Sequence, residues 1–301
     1  MNKALCDDII LLVIKMIIDL HTHIYPEKIA EKTVKKLSGF TGLTPSNIGT
    51  AEDLKRLMGE TGVDISVVLP VATNPEKVNH LNDFASAVNK NEQLFSFGAM
   101  HPDCEYWESE LERIKQLGMK GVKVHPVYQG VDIDDVRFLR IFDKAAQLGL
   151  SVVTHSGFDI GFPGEERCMP AQIANAVKSV GKFNLIAAHM GGWEDWEEAI
   201  YYLADTGVYI DTSFSLSVYN YVNNEERSQN IIQEFGETGY FIQQEKFLEF
   251  LKAFGAERIV FGSDSPWDTP QTNIEFINNL PISQAEKELI FSGNAKRILD
   301  I

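Results

Sequence analysis

Two histidines separated by one residue, His21 and His23, close a short apolar run. Four more (His101, His125, His155 and His189) each stand at or just past the end of a run rich in β-branched residues. On a strand, side chains at i and i+2 project to the same side, so His21 and His23 can offer two imidazoles to one ion. Asp264 follows the run VFGS and precedes Ser265-Pro266, which turns the chain away. Imidazole nitrogens with a carboxylate suit zinc or a similar divalent ion that keeps a position open for water. Of the seven histidines only His80 falls on a predicted helix, where it is expected at the surface.

Lys123 and His125 share one face of the run Gly121-Val-Lys-Val-His125. An ammonium group inside a fold is costly unless it is paired or modified, so Lys123 is expected to be one or the other. His125 reads as a substrate contact or a support for the ligands. His101 either holds a His-Pro turn or touches substrate, and Asp211 is expected to brace the top of a strand. Tyr128, Arg167, Trp193 and Trp267 fall just past strands and are candidates for the substrate pocket. Cys104 stands beside a predicted helix start without a catalytic partner and reads as inert.

The elements that must position these residues alternate along the chain. Strand-like runs cover 16–20, 64–71, 94–100, 120–125, 150–154, 184–188, 207–211 and 258–263. Several are continuously apolar, as in parallel strands covered by helices. Residues 134–148 place Val136, Leu139, Ile141, Phe142, Ala145 and Leu148 on one helical stripe ended by Gly149. A second helix is predicted over 103–117 with Asp103 as N-cap, and Ser283-Gln-Ala-Glu286 reads as a capping box opening 284–290. Eight strand–helix units close into an α/β fold, the (β/α)8 TIM barrel, whose active sites lie at the C-terminal strand ends where the histidines gather. An open doubly wound sheet is disfavoured, because His-Thr-His rather than a glycine fingerprint follows the first strand.

Composition sets the bounds. The chain has 301 residues, 44% hydrophobic and 23% charged, with 43 acidic against 27 basic side chains for a net charge of −16. That balance opposes binding to nucleic acid or to an anionic membrane and leaves a small molecule as the expected partner. Self-association as a homo-oligomer stays open. Three scattered cysteines, Cys6, Cys104 and Cys168, are expected as free thiols in the cytoplasm. Residues 1–15 read as an N-terminal extension without a functional role: acidic residues precede IILLVI, and the run is too short to span a bilayer. Residues 16–301 form the catalytic domain.

The ordered motifs IDLHTH (18–23), GAMHPD (98–103), GMKGVKVHP (118–126), VVTHSG (152–157), AAHMGG (187–192), YIDTS (209–213), FGSDSPW (261–267) and GNAKRIL (293–299) carry a resemblance. From Met16 to Ile301 the chain resembles the amidohydrolase superfamily, in its family-2 branch of metal-dependent hydrolases and decarboxylases. The resemblance implies His21, His23, His155 and Asp264 as metal ligands. It implies His189 as a ligand of a second ion or a group that polarises the substrate. The implied cofactor is zinc, as one ion or two. In binuclear relatives a strand-four lysine, carboxylated by CO2, bridges the ions. Lys123 stands at that place in a KVHP segment similar to that of dihydroorotases; in a mononuclear site it would pair with a carboxylate or orient substrate.

The implied reaction is hydrolysis of an amide, cyclic amide or lactone, with Asp264 moving the proton and His189 assisting. Decarboxylation of a small aromatic or unsaturated acid is the alternative, and it asks for an arginine such as Arg167 or Arg227 beside the substrate carboxylate. A barrel that only binds a ligand is the second alternative. Two long segments, 24–50 and 212–242, read as aromatic-rich lids, the second carrying Phe214, Tyr219, Tyr221, Phe235, Tyr240 and Phe241.

Overall fold

Runs of Val, Ile and Leu become short buried strands in a computed structural model of the chain, which describes residues 16–216 and 241–301. In order they are β1 (Ile18–Thr22), β2 (Ile65–Val68), β3 (Leu94–Ser96), β4 (Gly98–Ala99), β5 (Gly121–Val124), β6 (Ser151–Thr154), β7 (Leu185–Ala187), β8 (Tyr209–Asp211) and β9 (Ile259–Val260). All pairings are parallel, β1 to β3 in one sheet and β4 to β9 in a second. β3 and β4 are the halves of one predicted run, interrupted at Phe97, so the eight expected staves are present. The ends join through the Leu20 N–H to the Phe261 carbonyl at 2.9 Å and the Asp264 N–H to the His21 carbonyl at 2.9 Å. The barrel is therefore closed, and no helix among the described residues is long and apolar enough to cross a membrane.

A bulge in β1 sets up the site. Asp19 pairs with Ser66 but Thr22 with Val68, so β1 carries one extra residue between them. Such an insertion re-aims the strand. Below it, Ile18 and Leu20 join the cluster of Val67, Phe97, Val153, Ile186 and Val260 that continues into Ala295, Ile298 and Leu299 of the last helix. Above it, His21 and His23 face the opposite, open end.

The helices depart from expectation in places. Helix α1 (Ala30–Thr41) occupies the segment read as a loop at 24–50. The predicted helix at 103–117 starts only at Trp107, with Tyr106 at its N-cap position; Asp103 instead pairs with Arg137 at 2.9 Å. The helix Val136–Leu148 is capped by Asp135 and ends at Gly149 as expected, but Phe138 belongs to its buried stripe and Val136 is 72% exposed. The Ser283–Glu286 capping box forms and opens Gln284–Glu288. Cys104 and Cys168 are buried free thiols; Cys6 and the rest of the 1–15 extension lie outside the described residues.

Candidate active site

Each of four imidazoles at the open end commits one ring nitrogen outward. Nδ1 of His21 lies 2.8 Å from a carboxylate oxygen of Asp211, and Nδ1 of His23 lies 2.8 Å from the Leu69 carbonyl. Nε2 of His155 meets the Phe158 carbonyl at 3.0 Å, and Nδ1 of His189 meets the Ser213 carbonyl at 3.0 Å. A carbonyl or carboxylate oxygen only accepts, so these nitrogens carry the protons and the remaining nitrogen of each ring turns a lone pair inward. Burial lowers the proton affinity of His21, His155 and His189. His21 and His189 fall well below the usual imidazole range, and His155 is pushed down to about 3 by burial and then by the nearby Lys123 charge.

The inward atoms fall into two groups. Oδ1 of Asp264 lies 3.1 Å from Nε2 of His23 and 3.3 Å from Nε2 of His21. Ligands on a tetrahedral ion at zinc bond lengths are about 3.3 Å apart, so the donor type and spacing of this trio fit a divalent ion. Nδ1 of His155 and Nε2 of His189 face each other at 3.0 Å, two lone pairs without a proton between them. As an inward acceptor, His189 can hold an ion or take a proton but has no N–H left to polarise a carbonyl.

Lys123 projects from β5 into the same floor, its Nζ 3.4 Å from Nε2 of His21. Burial pushes it down to about 8, against the pull of Asp211 and Asp264. Asp211 braces as expected, since its carboxylate also accepts the backbone N–H groups of His189 (3.0 Å) and Ser213 (3.1 Å). The Ser213 hydroxyl bonds to Asp211 and lies 3.0 Å from Nδ1 of both His21 and His189. Beneath them, Asp19 accepts the N–H groups of His21 and Ser263, and burial raises its carboxyl to about 7. The backbone is strained where chemistry is placed: His189 and Asp264 have φ of 58° and 66°. Such left-handed positions cost about 1–3 kcal/mol each and persist where the surroundings over-determine them.

The floor opens into a cavity of about 550 Å3. Ten of the twelve sequence-predicted site residues line it: His21, His23, Lys123, His125, Tyr128, His155, His189, Trp193, Asp264 and Trp267. His101 does not; its Nδ1 accepts the Asp103 N–H at 3.1 Å, so it holds the His-Pro turn. Arg167 does not either. It is tied to Asp132 at 3.2 Å and to Glu165 at 2.8 Å, outside the cavity lining. Arg227, Tyr219, Tyr221, Phe235 and Tyr240 lie outside the described residues, whereas Phe214 lines the cavity.

Asp159 was missed in the sequence. It sits on the loop after β6, buried in the cavity wall, with Oδ2 3.6 Å from Nε2 of His125 and 3.8 Å from Nε2 of His155. Burial raises its carboxyl to about 6. The two rings stack 4.3 Å apart. The Asp159 group resembles a second ion site, but Nε2 of His155 is already a donor to Phe158, so it is read as support for His155. Gly157, with φ of 84°, seats this loop: a Cβ there would come within 2.2 Å of the Trp193 nitrogen.

Residues 18–301 match the family model described as amidohydrolase. No curated protein sequence matches the chain. Similar solved structures include a 2,6-dihydroxybenzoate decarboxylase from Rhizobium, at 15% identity and TM-score 0.64, covering 95% of this chain and 98% of that one. A dihydroxybenzoic acid decarboxylase from Polaromonas, solved with manganese and 2-nitroresorcinol, is 17% identical with TM-score 0.64, covering 95% and 97%. A candidate 2-pyrone-4,6-dicarboxylic acid hydrolase from Pseudomonas putida is 16% identical with TM-score 0.60, covering 95% and 97%. At these identities the likeness establishes the barrel architecture.

Proposed function

Because the chain belongs to the amidohydrolase family of metal-dependent enzymes, we propose that it hydrolyses an amide, cyclic amide or lactone bond of a small molecule. The observation that favours hydrolysis over loss of CO2 is that the cavity offers lysines but no arginine fork to hold a carboxylate at the reacting end. No arginine among the described residues lines the cavity, and Arg167 is held elsewhere by two carboxylates. A bound divalent ion supplies Lewis acidity that brings a water's pKa toward neutrality and polarises a carbonyl.

The protein groups do the rest. Asp264, buried and with its proton affinity raised by that burial, takes the water's proton and returns it to the leaving nitrogen or oxygen. His189, its Nε2 lone pair turned toward His155, borders the centre. Asp211, Ser213 and the Leu69 and Phe158 carbonyls fix the rings so that each presents its unprotonated nitrogen. Trp193, Trp267 and Phe214 exclude bulk water from the floor.

One zinc ion on His21, His23 and Asp264, bordered by His155, is the centre we propose. In the other reading His155, His189 and a carboxylated Lys123 would hold a second ion, a reading favoured by the 3.0 Å approach of the two rings. Manganese in the Polaromonas relative makes metal identity part of the test. Decarboxylation is the second functional reading, carried by the two decarboxylase structures with the same fold. A panel of lactones and cyclic amides set against aromatic acids, with CO2 detection, separates the two.

A further inference from the structure

The rim of the cavity differs in charge from the rest of the molecule. Helix α1 contributes Lys32 and Lys36 to the lining, with Leu37 behind them. Side chains at i and i+4 stand on one helical face, so both ammonium groups reach the same stretch of the entrance. Like charges at this spacing destabilise a helix, and nothing in the described structure relieves them. Like Lys28 and Lys35 nearby, neither Lys32 nor Lys36 has an ion-pair or hydrogen-bond partner among the described residues; what sets these two apart is that they line the cavity. The chain as a whole carries −16. A pair of lysines at the mouth of an acidic protein, without a partner among the described residues, creates a local field that draws anions toward it.

The remaining lining is arranged accordingly. The donor floor is buried, the lysines are exposed at the other end, and apolar side chains such as Leu43, Trp193 and Phe214 lie among the lining residues. We propose that Lys32 and Lys36 bind a carboxylate on the substrate remote from the reacting bond, so that the enzyme selects molecules with an apolar or aromatic body and an acidic far end. The proposal deepens the hydrolase reading and rests on it for the placement of the reacting end at the floor. Lysines act here as point charges without the fork geometry of arginine, so the contact tolerates variation in the anion's angle. Being exposed, it is screened by salt.

Binding without turnover tests this. Benzohydroxamate, whose head group chelates divalent ions, is titrated calorimetrically into the metal-loaded full chain beside the monohydroxamate of terephthalic acid and its longer biphenyl homologue. The readout is the ratio of dissociation constants, tailless over carboxylated, taken within each protein. At low salt we expect a ratio of about threefold to tenfold for at least one tail length. It should fall toward one in about 0.5 M NaCl and in the K32Q/K36Q double variant. A ratio of one for both lengths at low salt, or an advantage that survives in the double variant, overturns the proposal. Failure of the hydrolase reading shows separately, as absence of lactone turnover, and leaves these ratios interpretable.

Discussion

Nδ1 of His155 and Nε2 of His189 stand 3.0 Å apart, each ring having already given its proton to a carbonyl behind it. Two lone pairs held this close repel unless a positive charge lies near. The outer hydrogen bonds thus fix both tautomers and prepare a place for a cation. A test is the chelator-treated protein: metal addition should raise its thermal midpoint, the gain should shrink in His21→Asn, and it shrinks in His189→Asn only where a second ion lies between the two rings. A midpoint indifferent to metal would contradict the assignment.

Asp264 is asked to be both ligand and proton carrier. Asp264→Asn keeps the shape but can neither balance the ion's charge nor accept a proton. Turnover is expected to fall by about 10²–10⁴-fold, the usual contribution of general acid–base catalysis, with loss of metal as well. Full activity in this variant would refute the mechanism.

Lys123 separates one ion from two. In the one-ion centre, purified protein holds one ion per chain and Lys123→Ala still holds one. Two ions falling to one in that variant would establish the bridging reading. Elemental analysis after purification reads both numbers and names the metal.

His155 should make the metal-free protein sensitive to acid. Its folded-state pKa is pushed from 6.5 to about 3 by burial. Between those values the unfolded chain binds a proton that the folded chain refuses. Stability from this group is therefore present above 6.5 and lost as pH falls toward about 3. Asp19, raised from 3.8 to about 7, acts with the opposite sign: its contribution is present below 3.8 and lost as pH rises through about 7. Urea unfolding as a function of pH should show a shallower acid limb in His155→Asn and a shallower alkaline limb in Asp19→Asn. Unchanged limbs would mean that other groups control the profile.

Gly157 seats the loop that carries Phe158 and Asp159. Gly157→Ala meets both a positive φ and the Trp193 backbone at 2.2 Å. It is expected to destabilise by about 2 kcal/mol or more and to lower metal affinity through His155. Wild-type stability and metal affinity would show that the loop adapts.

Much of this site was legible in the sequence because it depends on short-range periodicity. Strand phase places His21 with His23 and Lys123 with His125, and the barrel rule gathers strand ends. Pairing across the chain was not legible. The extra residue in β1 exists only relative to β2, and Asp159 reaches His125 only because Gly157 packs the loop on Trp193. Arg167 looked available until Asp132 and Glu165 claimed it. Asp103 is a good capping residue by type, yet Arg137 from another helix holds it. The helix in 24–50 carries a buried stripe of only Ala30, Val34 and Thr41, too sparse to announce itself, and so the rim lysines were missed.

The most direct test of the central claim is turnover by the metal-loaded protein on a mixed panel of lactones, cyclic amides and aromatic carboxylic acids, followed by proton release and CO2 evolution together. Metal-dependent ring opening of a lactone or cyclic amide without CO2, abolished by a chelator and by Asp264→Asn, is the predicted result. Metal-dependent CO2 release from an aromatic acid, with every lactone and cyclic amide untouched, would contradict it.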